Sequence, residues 1–170
     1  MFALIDVIPT DANVCIHVIT DGRDTSPTSG LAFVSELEDR IRDTNVRIAS
    51  VMGRFYAMDR DHRWERVALA YEAMTGIQTT HTDAGNVSVQ TATSATSAIE
   101  SYYNNPTTSS QLGDEFITPT VIVNNDGEPI GQVQPGDSVF FFNYRGDRPR
   151  ELTRAFIFND EEWAAVPRTP

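Results

Sequence analysis

Two apolar, β-rich runs constrain the fold of this chain more than any other feature of its sequence. Residues 14–20 and 46–52 are mostly aliphatic and show no strict polar alternation, which is typical of strands covered on both faces. Between them, Leu31, Val34 and Leu37 recur at helical spacing. Strands that alternate with helices predict a layered α/β/α fold with a mostly parallel central sheet.

The remaining elements follow from apolar period and turn residues. Ser26 and Pro27 predict the start of the first long helix, with the serine as its cap. Residues 138–143 contain three consecutive phenylalanines and are predicted as the most deeply buried strand. Four further helical segments are predicted: a helix end at 1–7, a helix from about 59 to 74 stopped by Gly76, a helix at 91–103 and a helix from Pro149 to about 158. Residues 77–90 are predicted as a loop. A β-hairpin is predicted near 118–134, with arms at 118–123 and 130–134.

Composition limits the class of protein. A length of 170 residues with 40% hydrophobic content predicts a single domain over residues 1–170. Cys15 is the single cysteine and lies in an apolar run, so we expect a small buried core residue, which fits a reducing compartment. The expected location is cytoplasmic. No run reaches the length of a membrane span, and residues 1–9 lack the pattern of a signal peptide. A formal net charge of −11 argues against nucleic acid as a partner.

All thirteen basic residues are arginine, and nine of them fall in three short stretches. These stretches are DGRDTSP at 21–27, GRFYAMDRDHRWER at 53–66 and NYRGDRPRELTR at 143–154. Clustered guanidinium groups on an acidic chain favour a small anionic ligand, because arginine binds carboxylate and phosphate through two parallel hydrogen bonds. The alternative for any single arginine is an ordinary surface ion pair.

Each arginine stretch follows a predicted strand. If the three strands are parallel, their carboxyl ends lie at one rim of the sheet, where ligands bind in open α/β folds. Gly22, Gly53 and Gly146 would let the backbone turn sharply beside a ligand. The sequence therefore predicts that three distant groups of arginines converge on one anion site.

Asp24 is the candidate for proton transfer at this site. It could accept a proton from a substrate hydroxyl, or it could only hold an arginine in place, and the residues themselves leave both readings open. Asp21 is predicted to bond the backbone of its own turn. His17, His62 and His81 do not show metal-ligand spacing, so we place no metal on this chain.

Four stretches of this sequence resemble, in order and spacing, the cofactor-independent phosphoglycerate mutases. They are DGRDTSP (21–27), GRFYAMDRDHRWERVALAYEAMTG (53–76), DEFITPTVI (114–122) and GDSVFFFNYRGDRPRELTRA (136–155). The similarity is to the transferase domain that is inserted into the phosphatase-like domain of those enzymes. The resemblance implies a part of a two-domain isomerase of glycolysis that interconverts 3-phosphoglycerate and 2-phosphoglycerate.

The resemblance also implies roles for individual residues. Arg23 and Asp24 would contact substrate, and Asp24 would exchange protons with its hydroxyls. The phosphate and carboxylate would be held by Arg54, Arg60, Arg145 and Arg148. Arg63 and Arg66 inherit no ligand role and are expected to form ion pairs. The two manganese ions and the nucleophilic serine would belong to the phosphatase-like domain, which is absent here, so the isolated chain is expected to be inactive. The alternative is a non-enzymatic anion-binding or interaction module built on the same scaffold.

Overall fold

The computed structural model describes residues 2–9, 11–77, 87–159 and 162 and shows an α/β fold. These residues form a four-stranded sheet in the order β1-β2-β4-β3. The strands are β1 (Val14–Thr20), β2 (Val46–Gly53), β3 (Gln90–Ala92) and β4 (Thr120–Ile122). β1 pairs parallel with β2 and β3 pairs parallel with β4, whereas β2 and β4 run antiparallel. The mostly parallel sheet is confirmed, with one antiparallel junction at its centre.

Six helices accompany the sheet in the described part of the chain. They are α1 (Phe2–Ile5), α2 (Gly30–Ile41), α3 (Arg54–Ala57), α4 (Trp64–Thr75), α5 (Ala95–Asn104) and α6 (Arg150–Ile157). A short 3-10 helix spans Asp114–Phe116. The predicted helix start near residue 59 is too early, since α4 begins at Trp64, but its stop is confirmed by Gly76 in a left-handed conformation with φ of 73°.

The two faces of the sheet are covered by different helices, which gives three layers. One core cluster joins α2 and α5 to the first face through Val34, Leu37, Ile99 and the strand residues Ile48 and Val51. The second cluster joins α3, α4 and α6 to the other face and contains Tyr56, Val67, Leu69, Ala73, Leu152, Met52 and Val121. Burial of both faces explains why the sequence of β2 is apolar almost throughout.

Two further predicted helix starts differ from the structure. α2 begins at Gly30, four residues after Ser26, and its N-cap residue Ser29 makes no side-chain capping bond with the described residues. A distant carboxylate takes that role, because Asp114 Oδ2 accepts a hydrogen bond from the Gly30 amide at 2.7 Å. α5 begins after Ser94, which forms a reciprocal capping box with Ser97, so residues 91–92 belong to β3 and not to the predicted helix.

The prediction of a buried strand at 138–143 is wrong. These residues are described and none of them pairs within the four-stranded sheet. Phe140 is 79% exposed, and Val139 and Phe142 are about half exposed, while Phe141 packs against the second core cluster. An apolar run shows that side chains can be buried, but it does not supply a hydrogen-bonding neighbour for the backbone.

The hairpin near 118–134 is formed at its turn. The Gly127 amide donates to the Asn124 carbonyl at 3.0 Å, and Val123 forms an antiparallel bridge with Pro129. The predicted returning strand at 130–134 does not form. Its Gly131 instead packs against the half-buried Cys15, and its Val133 amide bonds the Met74 carbonyl at the end of α4.

Within the described ranges, no helix is long and apolar enough to cross a membrane.

Candidate functional site

Arg54 joins the loop after β1 to the loop after β2. It is the first residue of α3, and its side chain is only 7% exposed. Its Nη1 donates to Asp24 Oδ2 at 2.7 Å and makes a very short hydrogen bond with Asp21 Oδ1. One arginine thus holds two carboxylates from the DGRD turn, and the pair of loops forms one rim.

Asp21 also shapes the turn that carries Arg23 and Asp24. Its Oδ1 accepts hydrogen bonds at 3.2 Å from the backbone amides of both residues, as predicted for an aspartate that bonds its own turn. Burial alone would raise the pKa of Asp21, but hydrogen bonds from Arg54 and from these amides outweigh it and hold the pKa below its usual value. The turn therefore stays bonded over the physiological pH range.

The side chains at the outer part of the rim are open to solvent. Asp24 is 68% exposed, and Arg23 is 65% exposed while its Nη1 reaches Glu115 Oε1 at 3.3 Å. Glu115 was not identified from the arginine pattern. Its signal lies in the DEF stretch at 114–116, which does not follow a predicted strand. A ligand approaching from solvent would meet Arg23 and Asp24 directly.

A second group of arginines is organised by Asp147. Arg145 binds its carboxylate through two hydrogen bonds, from Nε at 3.1 Å and from Nη2 at 3.0 Å. Arg60 donates to the same carboxylate at 3.0 Å. The hydrogen bond from Arg145, followed by that from Arg60, lowers the pKa of Asp147 to about 2 in spite of some desolvation. Asp147 thus shows that these two arginines can hold one carboxylate together.

Arg148 connects the two groups. Its Nη1 donates to the Met58 carbonyl at 3.1 Å, and its buried Nε has no hydrogen-bond partner among the described residues. Burial lowers the pKa of Arg148, and repulsion from Arg60, Arg54 and Arg145 lowers it further, while Asp147 acts in the opposite sense. Arg148 therefore lies in the combined positive field of the other three arginines.

The structure brings together the arginine groups that the sequence predicted to converge. Residues 21–24 and 54–60 follow β1 and β2 at the carboxyl ends of a parallel pair. The third group reaches the rim by another route, since residues 145–148 follow an irregular segment and precede α6. The predicted parallel third strand is wrong, although Arg60 and Asp147 show that its arginines arrive at the same place.

Other singled-out residues lie outside this rim. Arg63 and Arg66 form ion pairs with acidic neighbours, Asp61 at 3.1 Å and Asp59 at 3.6 Å respectively, as expected. Arg66 also lies 3.6 Å above the Phe55 ring. His17 bonds Ser50 between β1 and β2 at 2.8 Å. His81 lies outside the described residues.

The described part of the rim does not carry a donor set for a metal ion. The described residues bring no group of three or more histidine, cysteine, aspartate or glutamate side chains into a metal-binding arrangement. The arrangement at the rim is instead one of guanidinium groups, which is suited to phosphate and carboxylate.

Comparison with known families decides the assignment. The family model for the N-terminus of BPG-independent phosphoglycerate mutase (PGAM) matches residues 1–169. This chain belongs to the BPG-independent phosphoglycerate mutase family. The resemblance read from the DGRD, GRFYAMDR, DEF and NYRGDR stretches is thereby confirmed.

Individual relatives agree with this family. A 2,3-bisphosphoglycerate-independent phosphoglycerate mutase from Rhodopirellula baltica is 57% identical over 159 residues, and that from Clostridium beijerinckii is 48% identical over 158 residues. These alignments cover 93% and 92% of this chain but 27% of each relative. The chain thus spans about a quarter of the length of the curated phosphoglycerate mutases it matches.

A solved structure supports the fold. The crystal structure of Leishmania mexicana phosphoglycerate mutase at low cobalt concentration matches with a TM-score of 0.71 and 30% sequence identity. The match covers 91% of this chain and 28% of that protein. The layered α/β architecture is therefore that of one part of a phosphoglycerate mutase.

Proposed function

We propose that this chain is the substrate-holding domain of a two-domain phosphoglycerate mutase that interconverts 3-phosphoglycerate and 2-phosphoglycerate in glycolysis. The observation that carries the proposal is the position of Arg148. Its guanidinium has an unsatisfied, buried Nε and lies in the field of Arg54, Arg60 and Arg145. A bound anion would relieve this repulsion and supply the missing acceptor.

The arginines have complementary roles in this proposal. Arg54, Arg60, Arg145 and Arg148 hold the phosphate and the carboxylate of the substrate. The two-bond contact between Arg145 and Asp147 has the geometry that a substrate carboxylate needs. Because Asp147 already occupies that fork, the ligand would compete with it or share Arg145 and Arg60 with it.

Arg23 and Asp24 contact the glycerate in this scheme. One carboxylate oxygen of Asp24 is held by Arg54, which fixes the side chain, while most of its surface stays open at the rim. This arrangement suits a group that accepts a proton from a substrate hydroxyl and returns it to the neighbouring oxygen after the phosphoryl group has moved. Phosphoryl transfer depends on positioning and charge neutralisation, and these arginines supply both.

The rest of the reaction belongs to the remainder of the enzyme. We expect the two manganese ions that the family resemblance implies to be held by a phosphatase-like domain outside this chain. The isolated chain should therefore bind phosphoglycerate without turning it over. A cytoplasmic location is part of the proposal, and the unpaired thiol of Cys15 agrees with it.

Calorimetric titration of the 170-residue chain with 3-phosphoglycerate tests this function. We expect weak binding that weakens further as salt is raised, because the contacts are charged and open to solvent. Arg54→Ala and Arg145→Ala should abolish it. Arg47→Ala is the matched control. Arg47 lies near the start of β2, the strand that leads into Arg54, and it bonds only the nearby Thr44 and Val46 carbonyls among its described hydrogen bonds.

Binding that is unchanged in both Arg54→Ala and Arg145→Ala would refute the assignment of these residues. Tight binding of other small anions with no preference for 3-phosphoglycerate would favour the alternative, a non-enzymatic anion-binding module.

A further inference from the structure

Asp114 lies beneath the loop that carries Arg23 and Asp24, and the arginine site does not include it. The residue is 1% exposed, and both of its carboxylate oxygens are used. Oδ2 accepts the Gly30 amide at 2.7 Å, at the start of α2, and Oδ1 accepts a very short hydrogen bond from the Tyr103 hydroxyl. Burial, followed by this hydrogen bond, raises the pKa of Tyr103, so the phenol remains a donor.

The backbone of Asp114 is tied to the same loop. Its amide donates to the Pro27 carbonyl at 2.7 Å, and its carbonyl accepts from Thr20 Oγ1 at 2.7 Å. Thr20 ends β1 and Gly30 begins α2. Asp114 therefore fixes the loop 21–29 at both ends and at Pro27.

The packing leaves no room for a side chain at Gly22, inside this loop, or at Gly30, directly after it. A Cβ atom on Gly22 would lie 2.7 Å from the Asp114 Cβ, and one on Gly30 would lie 2.7 Å from its Oδ1. Gly22 also has φ of 65°, which a residue with a side chain adopts only with strain. The two glycines allow the loop backbone to lie directly on the aspartate.

The residues that follow Asp114 in the chain contact both the DGRD loop and the loop that begins at Gly53. Glu115 pairs with Arg23, and the Ile117 carbonyl accepts the Gly53 amide at 2.7 Å, one residue before Arg54. The ring centroids of Phe116 and Phe55 lie 5.1 Å apart. The segment 113–117 thus contacts the loops of both β1 and β2.

We propose that Asp114 is a positioning residue for the anion site, which sets the DGRD loop against the Arg54 loop through the 113–117 segment. The inference rests on the proposed function, because its consequence is geometry suited to a phosphoglycerate. Anion recognition by several arginines requires each guanidinium to be held within a fraction of an ångström of its binding position. In an enzyme site, a displacement of about 1 Å can lower the reaction rate up to about a hundredfold.

The test compares Asp114→Asn with a matched control, Glu38→Gln. Glu38 is also a distant carboxylate that caps a helix: it accepts the Ala95 amide at 2.9 Å and the Thr96 amide at 3.2 Å at the start of α5. It makes no contact with the arginine loops among its described hydrogen bonds. Both substitutions keep the side-chain size and remove one capping charge.

Amide hydrogen exchange of the ligand-free chain gives the first readout. Asp114→Asn should speed exchange across residues 21–30 and 53–57 about tenfold or more, since it removes a charged hydrogen bond from a local opening equilibrium. Glu38→Gln should speed exchange at 95–97 and leave the arginine loops unchanged. Equal exchange in the arginine loops of Asp114→Asn and the native chain would overturn the proposal, as would the same acceleration there in Glu38→Gln.

Binding of 3-phosphoglycerate gives the second readout. Asp114→Asn should weaken affinity about tenfold or more, whereas Glu38→Gln should bind like the native chain at a comparable loss of stability. An equal loss in both variants would reduce Asp114 to general stabilisation. If the native chain itself does not bind, the proposed function fails for this chain, while the exchange data still decide the role of Asp114.

Discussion

Arg54 and Asp24 lie thirty positions apart in the chain, yet Nη1 of the arginine donates to Oδ2 of the aspartate at 2.7 Å. The arginine follows β2 and the aspartate follows β1, so this bond depends on the parallel pairing of the two strands. Nη1 also donates to Asp21 Oδ1, so a single nitrogen of the guanidinium holds both carboxylates. This gives a sharp prediction about its replacement by lysine.

Arg54→Lys keeps the positive charge but loses the planar fork. A lysine ammonium carries its three donors on one nitrogen, so once it bonds Asp21 and Asp24 it cannot also offer a planar pair of donors to a ligand. We expect affinity for 3-phosphoglycerate to fall about ten- to a hundredfold, the effect of losing hydrogen bonds between charged groups. Calorimetry measures it, and Arg47→Lys should bind like the native chain. Native affinity in Arg54→Lys would show that only its charge matters.

Gly53 and Gly146 were both expected to allow sharp turns, but only Gly53 is closely packed. A Cβ atom on Gly53 would lie 2.2 Å from the Glu115 carbonyl oxygen, whereas no described atom comes within 4 Å of one on Gly146. Gly53→Ala should therefore lower the free energy of unfolding by about 1–3 kcal/mol, and Gly146→Ala should change it by less than about 0.5 kcal/mol. Urea denaturation measures both, and equal effects would contradict the packing.

Much of the fold and the site could be predicted from local patterns. β1, β2 and α2 follow from apolar runs and helical spacing, because side-chain period reports which faces are buried. Arg54 and Arg60 could be placed at the rim, since they follow a strand directly in the chain. These features depend on neighbouring residues and on the general geometry of parallel sheets.

The predictions that were wrong concern features that depend on contacts between distant residues. Ser26 satisfied the local rule for a helix cap, but Asp114 takes that role 84 positions away from Gly30. Nothing in the sequence around α2 indicates a carboxylate from another segment. The phenylalanine run at 138–143 likewise carries no information about whether a strand lies beside it.

Phe140 and Phe141 test that difference directly. Phe140 is 79% exposed, so Phe140→Ala should change the free energy of unfolding by less than about 0.5 kcal/mol. Phe141 packs against the second core cluster, and Phe141→Ala should cost about 1–2 kcal/mol for its partly buried ring. Urea denaturation of the two variants compares them. A loss of about 3–5 kcal/mol in the free energy of unfolding of Phe140→Ala, the value for a core phenylalanine, would instead support the predicted buried strand.

His17 makes the stability of the chain depend on pH. Its Nδ1 lies 2.8 Å from Ser50 Oγ between β1 and β2, and burial lowers its pKa from 6.5 to about 4. The unfolded chain therefore binds a proton at His17 between about pH 6.5 and 4 while the folded chain does not. The stability contributed by the neutral imidazole is complete above pH 6.5 and is lost as pH falls toward 4, by up to about 3 kcal/mol.

His17→Gln removes this titration and keeps a side chain that can bond Ser50. The free energy of unfolding of the native chain should fall more steeply between pH 7.5 and 4.5 than that of the variant. The difference between the two curves isolates His17, because carboxylates such as Asp147 titrate in both. Urea denaturation at several pH values measures the curves, and parallel slopes over this range would show that His17 takes up its proton equally in the folded and unfolded chain.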